Sequence, residues 1–217
     1  MQATRRTPTQ ERGQVTQQAV VEGAAQVFDR VGFGNATLSM IAEASGISQG
    51  SMYFHFQSKE QIALAVVHEQ HARSLPVMGQ AIEQCDSVLE RLIRASRAIA
   101  DQLEHDPVVR AGIRLALDDG SLSAPTGSFY EDWIAGTAAE LDGALQNGEL
   151  LSSMSAPDLA RTLIGFFTGV QLTAQATTGR ADIAASVNRM WKLTIDAIVP
   201  VSGRAAATRI REDAFSH

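Results

Sequence analysis

The segment Thr37–Phe56, with the sequence TLSMIAEASGISQGSMYFHF, gives the clearest structural signal in this chain. Thr37 is a typical N-cap residue and predicts a short helix that reaches about Ser45. Gly46 is predicted to end that helix, because glycine readily takes the positive φ that a tight turn between two helices needs. Ser48 then caps a second short helix. The segment therefore predicts a helix-turn-helix.

The second helix leaves small or polar side chains on its exposed face. Gln49 and Ser51 are predicted to reach base edges in a DNA major groove, and Gly50 lets the helix approach the groove floor. The full set of predicted DNA contacts is Thr37, Ser48, Gln49, Gly50, Ser51, Tyr53, His55 and Lys59. Taken alone, the spacing fits a DNA reader and a purely structural pair of short helices equally well.

Composition narrows the class of protein. The chain has 217 residues and a net charge of -6, which argues against non-specific coating of nucleic acid. Residues 1–56 hold four arginines and four carboxylates, so the remaining residues carry the whole negative charge. Cys85 is the single cysteine, which excludes an internal disulfide and suits a reducing cytoplasm. We expect neither a signal peptide nor a membrane span, because the N-terminus is polar and residues 162–179 are uncharged but rich in Thr and Gln.

Apolar residues recur at helical spacing along the rest of the chain, and no segment predicts a convincing strand. The predicted class is all-α, with an N-terminal three-helix DNA-binding domain and a larger C-terminal helical domain for ligand binding and dimerisation. The predicted boundaries are a flexible arm at 1–13, a DNA-binding domain at 14–58, a ligand-binding and dimerisation domain at 59–200, and a flexible tail at 201–217. A loop is predicted at 118–128.

The end of the helix-turn-helix carries a resemblance to a known family. The run Tyr53-Phe54-His55-Phe56, followed by Ser58-Lys59-Glu60, resembles the DNA-binding domain of TetR-type repressors. The resemblance implies that Tyr53, His55 and Lys59 lie against phosphates. Such repressors often carry a basic residue at the position of Gln49, so base readout here is expected to differ.

The C-terminal region resembles one group within that family. Pro107–Leu115, Phe129–Trp133 and Met190–Pro200 are similar to the regulatory domain of γ-butyrolactone autoregulator receptors, and the resemblance spans roughly residues 15–200. It implies that Trp133 covers a lactone and that Gln70 and Thr168 make polar contacts. Phe129 and Phe166 are further candidates for the pocket, although such aromatic residues are more often core. Some members of the group sense furans, butenolides or antibiotics, and these alternatives stay open.

A dimer is implied because two recognition helices must engage half-sites about 34–36 Å apart. The last two helices of the domain are the predicted interface. The residues assigned to it are Phe167, Gln171, Val187, Met190, Trp191 and Ile195. The alternative is that these apolar stripes form the core of a single subunit.

A ligand-released repressor that acts as a homodimer on double-stranded operator DNA has two rivals from other classes of protein. An enzyme is disfavoured, since no phosphate loop or nucleophile motif occurs, and His68 with His71 lacks a third metal ligand. We therefore expect no catalytic residue, cofactor or metal. A helical ligand-binding protein without DNA binding is the other rival. The small, donor-rich face of the second helix argues against it.

Overall fold

The computed structural model describes residues 8–117 and 128–216. Within these ranges all the regular secondary structure is helical, which confirms the predicted all-α class. The helices are α1 (Pro8–Asn35), α2 (Leu38–Ser45), α3 (Gln49–His55), α4 (Lys59–Ile82), α5 (Val88–His105), α6 (Pro107–Leu117), α7 (Ser128–Gln146), α8 (Ala156–Thr178), α9 (Ile183–Ile198) and α10 (Arg204–Ala214). The predicted loop at 118–128 lies outside the described residues except for Ser128, which begins α7. None of the described helices is both long and apolar enough to traverse a lipid bilayer.

The chain divides into two compact units. The N-terminal unit contains α1 to α3, the part of α4 that ends at Arg73, and α6. The C-terminal unit contains the rest of α4 from Ser74, together with α5 and α7 to α10. The N-terminal unit is thus larger than the predicted DNA-binding domain of residues 14–58, because α6 packs along α1 rather than with its sequence neighbours.

The N-terminal unit is built on α1. This helix begins at Pro8, so residues 8–13 are helical and not the flexible arm predicted there. Its buried face meets α2 and α6, and the side chains it contributes to the core include Val20, Ala24, Val27 and Phe28. Gly32 interrupts the helix with φ 76° and ψ 170°, and one further helical turn follows.

The C-terminal unit is a helical bundle. Helix α8 packs on α7 and α9, and α5 packs on α9. Its core contains side chains that are almost fully buried, among them Ile93, Leu103, Leu141, Phe167, Ile183, Val187 and Ile195.

The predicted flexible tail at 201–217 is wrong for the described residues. A 3₁₀ turn at Val201–Gly203 leads into α10, which packs on α5 and α9 and buries Ala207. Contacts between side chains hold it there: Arg94 Nη2 donates to Asp213 Oδ2 at 2.7 Å, and the guanidinium of Arg97 lies 5.7 Å from the ring centre of Phe215. The thin apolar stripe of α10 explains why its sequence did not predict a docked helix.

Candidate functional site

The helix-turn-helix forms as its cap residues predict. Thr37 Oγ1 accepts a hydrogen bond from the Met40 N–H at 3.2 Å and starts α2. Gly46 ends that helix in the left-handed region, at φ 68°. Ser48 Oγ accepts from the Ser51 N–H at 3.2 Å and starts α3. These caps satisfy backbone donors that a helix start otherwise leaves free, so the turn is fixed locally.

Close packing against α1 holds the two short helices in place. Ile41 of α2 and Met52 of α3 are 0% and 1% exposed. At Gly23 of α1 a Cβ would come within 2.6 Å of the backbone nitrogen of Ser45, so only glycine permits this crossing. Gly23 is not among the residues predicted from the sequence, because nothing local to it signals a close approach.

The face of α3 that remains exposed is the predicted reading face. Gln49, Gly50 and Ser51 are all exposed, and no neighbouring atom lies within 4 Å of a Cβ placed on Gly50. The first turn of α3 can therefore enter a groove without rearrangement.

Aromatic side chains continue this face toward the end of α3. Tyr53 is 52% exposed, and His55 is half-buried. Phe54, which the sequence analysis did not select, is 87% exposed and makes an edge-to-face contact with the His55 ring at 5.4 Å. An apolar ring this exposed is costly to leave in water, and its position beside Tyr53 could have identified it as part of the surface.

Lys59 has a different role from the one predicted. Its Nζ donates to the main-chain oxygens of Phe33 at 2.8 Å and Ala36 at 2.9 Å, and it lies 4.3 Å from the centre of the Phe33 ring. The ammonium group thus holds the end of α1 to the start of α4, because carbonyls at a helix C-terminus attract a cation. A phosphate contact by this side chain would require both bonds to break, and a contact by the Lys59 backbone stays a prediction.

In the C-terminal unit, Trp133 forms a cluster with Tyr130 of α7 and with Phe167 and Thr168 of α8. Its ring lies 6.2 Å from that of Phe167, edge to face, and 5.9 Å from that of Tyr130. Thr168 Oγ1 is buried without a hydrogen bond of good geometry. Burial raises the pKa of Tyr130, and the nearby Thr168 hydroxyl partly offsets that rise. The phenol therefore stays protonated near neutral pH and can donate a hydrogen bond.

Phe166, another predicted effector contact, is not part of this cluster. Phe166 is 40% exposed, and the adjacent Phe167 faces Trp133 in its place. Gln70 belongs to the N-terminal unit, where it is 6% exposed and packs against Gly112 so closely that a Cβ there would lie 2.4 Å from the Gln70 Cβ. The Phe129 side chain lies outside the described part of the structure.

The predicted dimer contacts are core residues of a single subunit. All are at most 5% exposed, namely Phe167, Gln171, Val187, Met190, Trp191 and Ile195. Trp191 also donates from Nε1 to Ser96 Oγ of α5 at 2.6 Å. The apolar spacing of these residues reflects packing within the subunit, where α8 contacts α7 and α9, and α9 contacts α5. Their side chains therefore leave little surface for a second subunit.

The opposite faces of α8 and α9 remain exposed. On α8 this face combines small residues with larger apolar ones: Thr162, Gly165, Phe166, Gly169, Leu172, Thr173 and Ala176. On α9 it carries Leu193, which is 64% exposed, with charged residues beside it. Leu172 is 51% exposed. Apolar side chains at this spacing on adjoining helices are typical of a subunit contact.

An open groove of about 740 Å³ lies between α1 and α4 in the N-terminal unit. Polar and apolar side chains both line it, among them Gln14, Gln18, Val21, His68 and Glu69. Gln70, the predicted effector contact in this unit, is not among the residues that line it. Among the described residues, no group of three or more His, Cys, Asp or Glu side chains is placed to hold a metal ion.

Comparison with known proteins agrees with this arrangement. Residues 20–66 match the family of bacterial regulatory proteins called the tetR family, and residues 86–200 match the tetracyclin repressor-like C-terminal domain. The A-factor receptor protein of Streptomyces griseus is 34% identical over 87% of this chain, an alignment that spans 66% of the relative's length.

Two solved structures share the fold over nearly the whole chain. A γ-butyrolactone receptor described as ArpA-like superimposes with a TM-score of 0.79 at 27% identity, covering 94% of this chain and 98% of the receptor. The TetR-family protein CprB from Streptomyces coelicolor, in complex with its biological operator sequence, gives 0.83 at 27% identity, covering 95% and 99%. The C-terminal match alone takes in more than half of the sequence, and this chain therefore belongs to the tetR family of bacterial regulatory proteins.

Proposed function

We propose that this protein is a homodimeric transcriptional repressor that leaves its operator when a small neutral ligand, of the lactone type, binds in the C-terminal unit. The observation that carries the proposal is the exposed first turn of α3, where Gln49, Gly50 and Ser51 project from a helix fixed at both ends by caps. The relation to CprB, whose structure holds operator DNA, supports the same role for this chain. Such a repressor acts in the cytoplasm.

In this proposal α3 lies in the major groove. Gln49 and Ser51 make base contacts, since an amide can pair with adenine in two places and a hydroxyl with several base edges. Thr37, Ser48, Tyr53 and His55 hold phosphates and set the register. Phe54 joins them as an apolar contact with sugar or thymine methyl groups. Without a cation at position 49, fewer phosphates are neutralised, which predicts a shallow salt dependence of binding.

The effector site is the cluster around Trp133. Its members supply two hydroxyls, from Tyr130 and Thr168, and the faces of two aromatic rings, but no charged group. A protonated phenol suits a ligand with a hydrogen-bond acceptor such as a lactone carbonyl, and the rings suit its apolar part. The similarity to the A-factor receptor and to a γ-butyrolactone receptor favours this class over furans, butenolides or antibiotics.

Dimerisation is proposed through the exposed faces of α8 and α9. Gly165 and Gly169 allow two backbones to approach, while Phe166, Leu172 and Leu193 provide apolar area. Two copies of the α8–α9 pair then form a four-helix contact. This assignment replaces the interface expected from the sequence by the opposite side of the same helices.

Release requires that the ligand distinguish two states of the dimer. To move a population from about 99:1 bound to about 1:99, it must favour the released state by about 5.5 kcal/mol. We propose that occupancy of the Trp133 cluster supplies this difference and changes the spacing of the two recognition helices.

The test is a selection of duplexes from a random DNA pool by the purified protein, followed by titration of the selected complex with synthetic γ-butyrolactones, furans and butenolides. We expect one symmetric sequence to be enriched and a lactone to release it. Trp133→Ala should keep the operator affinity and lose the release. Normal release from that variant would refute the assigned site, and release by a furan alone would refute the lactone class.

A further inference from the structure

Helix α6 is the part of the C-terminal sequence that folds with the DNA-binding helices. Its residues fall within the matched C-terminal family domain, yet α6 packs along α1 in the N-terminal unit. The chain connects it to the C-terminal unit at both ends, through His105 of α5 and Ser128 of α7. Whatever α6 holds in α1 therefore ties the DNA-binding helices to a segment of the C-terminal sequence.

Helix α6 holds Asp29 of α1 by two contacts. Arg110 Nε donates to Asp29 Oδ2 at 2.7 Å, and Arg114 Nη1 donates to the Asp29 main-chain oxygen at 2.7 Å. The Asp29 and Arg110 side chains are only 19% and 20% exposed. Screening by water and salt is weaker for a pair this sheltered than for a surface ion pair.

The contact lies at the break in α1. Gly32, three residues after Asp29, breaks the helix with φ 76°. A Cβ at Gly32 would lie 2.8 Å from Arg114 Nη2, so the guanidinium rests directly on the break. Carbonyls at the end of a helix lack intrahelical donors, and Arg114 supplies one.

The next residues are held by the second cation, Lys59, at the carbonyls of Phe33 and Ala36. Thr37, the N-cap of α2, follows at once. The short segment 29–36 is thus fixed by α6 at one end and by α4 at the other, and it sets the direction in which α2 and α3 leave α1.

The start of α6 is anchored as well. Arg73 of α4 donates to Asp106 at 3.0 Å and to Glu69 at 2.9 Å, and it also bonds Glu22 of α1. Asp106 Oδ1 in turn accepts from the Val108 N–H at 2.8 Å, as an N-cap does. Helix α6 therefore has a fixed origin from which the Asp29 contact acts.

We propose that Asp29, with Arg110 and Arg114, is the positioning contact through which α6 sets the orientation of the α2–α3 pair for operator binding. Asp29 does not touch DNA in this account. It acts through the end of α1, and the inference rests on the proposed DNA-binding function.

The experiment compares Asp29→Asn and Arg114→Gln in the full-length protein. Their matched controls are Glu140→Gln and Arg91→Gln, which make the same charge changes in an ion pair of 2.8 Å within the C-terminal unit. For each protein one measures the affinity for the duplex that the wild type selects, the affinity for a random duplex of equal length, and the midpoint of thermal unfolding. The random duplex and the midpoint report changes that a merely structural role would cause.

We expect both Asp29→Asn and Arg114→Gln to lose about tenfold in affinity for the selected duplex, which is about 1.4 kcal/mol. Random-duplex affinity should match that of the control with the same charge change, and the thermal midpoint should stay near the wild-type value. Wild-type affinity for the selected duplex in either variant overturns the inference. So does an equal loss on both duplexes or a large fall in the midpoint. If the wild type itself selects no duplex, the proposed function fails and the inference falls with it.

Discussion

Replacing Lys59 by methionine separates its observed structural contacts from the phosphate contact that the sequence predicted. Methionine keeps an apolar stem of similar length but loses both hydrogen bonds to the carbonyls of Phe33 and Ala36. Hydrogen bonds to a charged group contribute about 1.5–3 kcal/mol each, and an exposed cation–π contact contributes about 0.5–1 kcal/mol. Because Lys59 is half-buried and water can take over part of these bonds, we expect a net loss of about 2 kcal/mol.

The assay measures unfolding and DNA binding on the same variant. For a chain of this size, about 2 kcal/mol lowers the thermal midpoint by about 4–8 °C. The salt dependence of operator affinity should keep its wild-type slope, whereas losing a phosphate contact would reduce that slope by about one. The control is Arg209→Met, which also replaces an exposed cationic side chain by methionine, on α10. An unchanged midpoint together with a slope lower by about one would refute the structural role.

Three further predictions each concern one residue: Gly46, Trp191 and Leu193. Gly46→Ala should lower the free energy of unfolding, measured in urea, by about 1–2 kcal/mol, because φ is 68° at Gly46. The control Gly34→Ala should not lower it, because Gly34 has no positive φ and a Cβ there would meet no neighbouring atom within 4 Å. Trp191→Phe should lower the free energy of unfolding by about 1–2 kcal/mol. Ser96→Ala should cost less in the Trp191→Phe variant than in the wild type, because Trp191 and Ser96 share a hydrogen bond. Leu193→Asp should give a folded monomer in analytical ultracentrifugation; a dimer of wild-type strength would exclude the outer face of α9 as the interface.

The helix-turn-helix could be predicted because its signals are local. Thr37 and Ser48 act on backbone donors three residues away, and Gly46 acts on its own dihedral angles. Such contacts are encoded within a few positions, so the sequence alone places the caps and the turn. The role of Lys59 was not accessible in the same way, since its partners are main-chain carbonyls that any residue would supply.

Long-range packing explains the other differences. The spacing of Met190 and Trp191 correctly predicts a helix with an apolar stripe, but periodicity does not say whether the stripe meets its own subunit or a second copy. Helix α10 depends on contacts such as Arg94 with Asp213, which are 119 positions apart in sequence. Helix α6 joins the N-terminal unit through Asp29, a pairing that no local pattern of charge reveals.

The most direct test of the central claim, that α3 reads a specific operator, is a selection from random duplex DNA with the wild type and with Gln49→Ala. The wild type should enrich a two-fold symmetric sequence whose half-sites lie about one helical turn, or a multiple of it, apart. Gln49→Ala should relax the preference at one base pair in each half-site, at a cost of about 1–3 kcal/mol for each contact. Enrichment of no sequence by the wild type, or identical base preferences and affinity in the variant, would contradict the assignment of α3 as the reading helix.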